Sequence, residues 1–195
     1  MNPFYREDLR TQLSPRTSKL RSILGALALC AAAGGAYYLM SPGEPLVLPP
    51  AVLASVTPAD SFTRVAGNGA RPLHIFISVD CIFCRQIELE LARVDNVTVY
   101  YHLLPGHSAV ARQDSRKVWC AADQANAWST FARGGALAPA RCDDAALDRN
   151  HSLALKLGLD RTPAIVFGDG RVLAGALNTD MLERELASSE AGPAK

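Results

Sequence analysis

Near the middle of the chain the hydrophobic period changes within a few residues, and the change falls on a pair of cysteines. Leu73, Ile75, Ile77 and Val79 alternate with His74, Phe76 and Ser78, and both sets are largely apolar, the pattern of a strand covered on both faces. From Ile82 onward the apolar residues recur at helical spacing: Cys84, Ile87, Leu91 and Val94 fall on one face, with Arg85, Glu88 and Arg93 largely off it. Asp80 and Cys81 stand at the handover. Cys81 is therefore expected at a helix N-terminus and Cys84 one turn further in. A strand buried on both sides needs helices on both sides, so the fold class is α/β.

The pattern continues in the same sense. Residues 97–104 read as a second strand, and strand-helix-strand order implies a parallel pair with a right-handed crossover. Pro105 and Gly106 end that strand. A helical stretch follows with Val118, Ala122, Ala125 and Trp128 at helical spacing, and another starts near Asp144 with Leu147, His151, Ala154 and Leu157 before Gly158. Trp119 and Trp128 lie on this pattern and read as core. Residues 164–167 and 172–176 flank Gly168-Asp169-Gly170, a turn sequence that predicts an antiparallel hairpin. A last helix is expected over residues 179–187.

The N-terminal part carries a different signal. Residues 22–40 contain no charged side chain, and at ~1.5 Å per residue they are just long enough to cross a hydrocarbon core of ~30 Å. Arg6, Arg10, Arg16, Lys19 and Arg21 precede this run and few charges follow it, which leaves residues 1–21 in the cytoplasm and exports the rest. Tyr37 and Tyr38 suit the headgroup layer at the far end. A cleaved signal peptide fits the same stretch, because residues 23–33 resemble a short apolar core and residues 31–36 offer small residues for cleavage. Cys30 reads as an inert apolar residue of the span. Residues 41–70, with Pro42, Pro45, Pro49, Pro50 and Pro58, read as an extended tether, so that the domain covers residues 71–189 and residues 190–195 form a tail. Either N-terminal reading puts the folded part in the bacterial periplasm, single-pass from the inner membrane if uncleaved, where disulfides persist. Twenty Lys and Arg stand against 19 Asp and Glu, so net charge gives no pull toward nucleic acid.

Two cysteines two residues apart on the first turn of a helix can close a small disulfide ring. The N-terminal one lies nearest the unpaired N–H groups and the positive end of the dipole, which favour its thiolate. Cys81 is then the attacking thiol, and Cys84, on the packed face, resolves the mixed disulfide that results. Half of a zinc site is the usual competitor for a C-x-x-C. No second such pair is present, and His74, His102, His107 and His151 share no ligand spacing, so neither metal nor cofactor is expected. A purely structural pair of buried cysteines remains open at this point. Thr162-Pro163, at the entrance to a strand, is a candidate cis bond that exposes backbone to an extended peptide, with a trans proline that merely starts the strand as the alternative.

Taken with Val118-Trp119-Cys120-Ala121, Ala125-Asn126-Ala127-Trp128, Ala138-Pro139-Ala140-Arg141-Cys142-Asp143 and Arg161-Thr162-Pro163-Ala164-Ile165-Val166 followed by Asp169-Gly170-Arg171, these features resemble the catalytic domain of the DsbC/DsbG disulfide isomerases over about residues 71–188. The resemblance implies a thioredoxin fold with a helical insertion, Cys81 as nucleophile, Cys84 as resolving thiol, and Thr162 and Pro163 as a cis-proline loop that receives substrate. It also implies a structural disulfide between Cys120 and Cys142 inside the insertion, worth ~3 kcal/mol in the chain-entropy model. Partners would be cysteine-containing exported proteins and a membrane reductase or oxidase. The chain departs from the family in two places. A membrane segment and Pro-rich stretch stand where the isomerases carry a dimerisation domain, and Ile82-Phe83 fill a dipeptide that usually begins with Gly or Pro. The alternatives are a non-catalytic adaptor of a membrane secretion or conjugation assembly, with its cysteine pair permanently oxidised, and a thiol-based carrier for metal or haem maturation.

Overall fold

The structure, a computed structural model, describes residues 46–190. The expected cytoplasmic segment, the membrane segment with Cys30, the first residues of the expected tether and the chain beyond Glu190 lie outside the described residues. Among the described residues no helix is long and apolar enough to cross a membrane.

In chain order the elements are β1 (Leu46–Val47), α1 (Pro50–Leu53), a 3-10 turn (Pro58–Asp60), β2 (Phe62–Val65), β3 (Arg71–Ile77), α2 (Ile82–Leu91), β4 (Val97–Leu103), α3 (Ala109–Trp119), α4 (Gln124–Ala132), α5 (Ala145–Lys156), β5 (Ala164–Phe167), β6 (Arg171–Ala174) and α6 (Thr179–Glu190). The strands form one sheet in the order β1-β6-β5-β3-β4-β2. β3 lies inside it, parallel to β4 with Ile75 opposite Tyr101 and antiparallel to β5 with Ile75 opposite Ile165. β3-α2-β4 is the crossover unit expected from the sequence, and β5 and β6 form the expected antiparallel hairpin. Gly170 in its turn has φ +86°, and a Cβ there would stand 2.7 Å from the carbonyl oxygen of Leu48. Only glycine allows β1 to run this close along β6.

Alternation along the strands divides the interior into two cores. Leu73, Ile75 and Ile77 of β3, with Val97, Val99, Tyr101 and Leu103 of β4, face Cys84, Ile87, Leu91, Trp128, Leu182 and Leu186 from α2, α4 and α6. Phe76, Ala164, Val166 and Val172 face the other way, against Leu48, Val56, Ala154 and Leu157. That double coverage is why β3 reads as apolar at nearly every position.

Three expectations need correction. The segment expected to be a tether from 41 to 70 is built into the fold from β1 onward, because β2 pairs antiparallel with β4 and β1 with β6. β2 is only four residues long and its outward positions face solvent, so it leaves little periodicity to read; its one deeply buried side chain is Phe62, stacked on Tyr101 at 5.0 Å between ring centres. The helical stretch through Val118 and Trp128 is two helices, since the chain breaks after Trp119 and Asp123 caps α4 by accepting the Asn126 N–H at 3.0 Å. Glu88 is not off the packed face of α2; it is buried there at 2% exposure.

Candidate active site

β3 ends at Ile77, and after three intervening residues the chain turns into α2 with Cys81 as its N-cap. The Cys84 N–H, one of the donors that a helix start leaves without a partner, points at Cys81 Sγ at 3.0 Å. The two cysteines are joined as a disulfide with their Cα atoms 5.2 Å apart. Their surroundings differ: Cys84 is fully buried under the sheet, while Cys81 is partly exposed. Between them Ile82 and Phe83 point outward at 69% and 55% exposure. Two adjacent apolar side chains facing water at a helix tip cost free energy unless a partner covers them.

The second half of the site comes from β5. Because β5 runs antiparallel to β3, with Ala164 opposite Phe76, the residues just before it lie beside the end of β3. Thr162-Pro163 is a cis peptide. The Pro163 carbonyl accepts the Gly175 N–H at 2.9 Å and so belongs to the sheet, whereas the Thr162 carbonyl oxygen lies 3.3 Å from Cys81 Sγ. Thr162, Pro163, Cys81 and Cys84 therefore form one group. Arg161 is exposed and paired with Asp160. Cys120, at the end of α3, and Cys142, before α5, form a second disulfide within the helical stretch between β4 and β5, with Cα atoms 5.5 Å apart.

Charged groups frame the redox turn. The Asp80 carboxylate accepts from the Ser78 hydroxyl and from the His107 N–H, the latter at 2.8 Å. Burial alone would raise its pKa, but these hydrogen bonds outweigh burial and hold it below the usual carboxylate value. The Arg85 guanidinium donates to the Val79 carbonyl at 3.2 Å and lies 4.6 Å over the Phe131 ring.

One turn beyond Cys84, Glu88 Oε2 accepts from the Tyr101 hydroxyl at 2.8 Å and from Trp128 Nε1–H at 3.0 Å. Arg64 reaches in from β2 to donate to the Tyr101 oxygen at 3.2 Å and to the Leu91 carbonyl at 2.9 Å. Burial pushes the Glu88 carboxyl up, opposed by Tyr101, Arg64 and Trp128, and burial followed by the nearby Glu88 pushes the Tyr101 phenol up. Sequence reading missed this cluster, although Glu88 stands four residues after Cys84 and so shares its face. It also found no ligand spacing among the histidines and so gave no hint that His74 Nδ1 and His102 Nε2 lie 2.9 Å apart on the α5 side of the sheet. Their partnership follows from β3–β4 register, which puts His74 opposite Tyr100 and Phe76 opposite His102. No local spacing carries it. Among the described residues, no three His, Cys, Asp or Glu side chains gather as a metal site.

Residues 58–189 match the thioredoxin-like domain family. The chain belongs to that family. The match begins inside the segment expected as a tether, in keeping with β2 as part of the sheet. The chain is 36% identical over 123 residues to the probable thiol:disulfide interchange protein DsbC of Bordetella pertussis, covering 63% of this chain and 44% of that protein. It thus spans less than half the length of this relative. Among solved structures, a disulfide interchange protein from Neisseria gonorrhoeae superposes with a TM-score of 0.59 at 26% identity, over 69% of this chain and 99% of the other. ScsC of Proteus mirabilis shares the fold, with a TM-score of 0.61 at 20% identity over 90% and 95% of the two chains. The α/β architecture is therefore a thioredoxin-like fold, with α3, α4 and α5 lying between β4 and β5.

Proposed function

We propose that the chain is a DsbC-like thiol-disulfide oxidoreductase acting on cysteines of exported proteins through a mixed disulfide at Cys81. The observation that carries this reading is the asymmetry of the pair: Cys81 is partly exposed with an N–H aimed at its sulfur at 3.0 Å, and Cys84 is buried directly behind it. In the reducing direction the Cys81 thiolate attacks one sulfur of a client disulfide. A Cys81–client bond forms, the client bond breaks, and the client's other sulfur leaves as a thiolate that takes up a proton. Cys84, having lost its proton, then attacks Cys81 Sγ. The intramolecular disulfide closes, the second client thiolate departs, and two electrons have passed from the pair to the client. Resolution by a client thiol instead of Cys84 makes the same chemistry an isomerisation.

Thr162 and Pro163 would receive the client backbone beside Cys81, and exposed Ile82 and Phe83 would cover its apolar side chains. Residues 22–40 would anchor the domain on the periplasmic face of the inner membrane, where a membrane reductase or oxidase would reset the pair. The test is insulin reduction and rescue of scrambled disulfides by Cys81→Ala. Loss of both activities is expected, and Cys84→Ser should accumulate client-linked species. Activity of Cys81→Ala equal to that of the wild type would refute the mechanism.

A further inference from the structure

We propose that Asp80 is a positioning residue that holds a fixed negative charge beside Cys81 and so biases the redox pair toward its disulfide. The inference rests on the proposed function, in which Cys81 is the exchanging thiol.

Asp80 precedes Cys81 directly. Its two carboxylate oxygens have separate partners: Oδ1 accepts from the hydroxyl of Ser78, itself 1% exposed, and Oδ2 accepts the His107 N–H at 2.8 Å. Asp80 is exposed, yet its side chain is thus clamped between the end of β3 and the segment that follows β4. The groups that face it are the neutral donors Ser78 and the His107 amide, with the His107 side chain alongside. The nearby cation, Arg85, is turned to the Val79 carbonyl and the Phe131 ring.

The consequence follows from the two redox states. In the disulfide neither sulfur is charged, so the Asp80 carboxylate meets no like charge at the start of α2. On reduction the Cys81 thiolate takes the Cys84 N–H and shares that helix end with a like charge one residue away. Repulsion between like charges on adjacent residues disfavours the thiolate. The dithiol state is destabilised relative to the disulfide, so the disulfide accepts electrons less readily than it would with a neutral residue at 80.

The test uses the full chain in mild detergent. Its equilibrium is the exchange of the Cys81–Cys84 disulfide with two glutathione thiols to give the dithiol and one glutathione disulfide, and the ultraviolet absorbance of the Cys81 thiolate is followed against pH. For Asp80→Asn the thiolate midpoint should fall by about one pH unit. The exchange should shift roughly tenfold toward dithiol, equivalent to ~30 mV. Asp80→Glu should stay near the wild type, and Ser78→Ala, which unclamps the carboxylate, should move part-way toward Asp80→Asn. An unchanged or raised midpoint in Asp80→Asn would overturn the inference. If the wild-type pair does not exchange with glutathione, the parent reading fails; if it exchanges and Asp80→Asn leaves it unaltered, only the role of Asp80 does.

Discussion

His74 and His102 meet on the α5 side of the sheet, where His102 Nδ1 also lies 3.2 Å from Asn150 Oδ1. In the neutral pair one ring nitrogen donates and the other accepts. A proton added to both rings would turn two N–H groups toward each other in a nearly dry site. Burial first, and then the neighbouring His102, depress the His74 pKa to about 4, and burial depresses His102 as well. An unfolded histidine titrates near ~6.5. The unfolded chain therefore binds the proton at a higher pH than the folded chain does. The contribution to stability is complete above pH ~6.5 and is lost as the pH falls toward the folded value. Each pH step in that window costs ~1.36 kcal/mol, so the loss through His74 between about pH 7.5 and pH 5 comes to ~2 kcal/mol. His74→Phe removes the titrating group and keeps a ring against Tyr100, on which His74 stacks with centroids 4.8 Å apart. Urea unfolding at the two pH values should show the wild type losing about 2 kcal/mol more than His74→Phe. Equal losses would refute the argument, since carboxylates common to both proteins cancel in the comparison.

Two further outcomes are expected. Replacing Cys120 and Cys142 together by Ser should lower unfolding free energy by ~3 kcal/mol in denaturant, from the loop their bond closes, while insulin reduction at the other pair persists. Gly106→Ala should lower thermal stability by ~1–3 kcal/mol, because residue 106 has φ +79° and a Cβ there would lie 2.6 Å from Ala111 Cβ at the start of α3.

What the sequence revealed divides along the range of the interactions. The strand through Ile75, the helix carrying Cys84 and Ile87, and the hairpin around Asp169 are each specified by residues close together in the chain, and all three are present. β2 was missed because its partner in the sheet lies more than thirty residues away, with Phe62 opposite Tyr101, and four residues give no period. The break before α4 was missed because helical spacing continues by coincidence through residues 120–123. Glu88 was misplaced for another reason: a charge is assigned to the wet face unless its partners are known, and Tyr101 and Trp128 come from other elements. At the site the cysteine pair was visible as a local motif, whereas the clamp on Asp80 was not, since His107 enters from the far end of β4.

The antiparallel pairing of β3 with β5 has a consequence for evolution and engineering. Cys81 and the Thr162 carbonyl are 81 positions apart in sequence, yet each stands within a few residues of the same ladder. Everything between β4 and β5 leaves the sheet and returns to it, and although α4 and α5 pack against the sheet, the link between them (residues 133–144) is largely exposed, so residues can be added to or removed from that link without changing the spacing of the two halves of the site. Loop-closure cost grows only logarithmically with length, which makes such changes inexpensive. That link is thus a region in which a lineage, or a designer, can reshape what the domain recognises while the exchanging sulfurs stay where the ladder holds them.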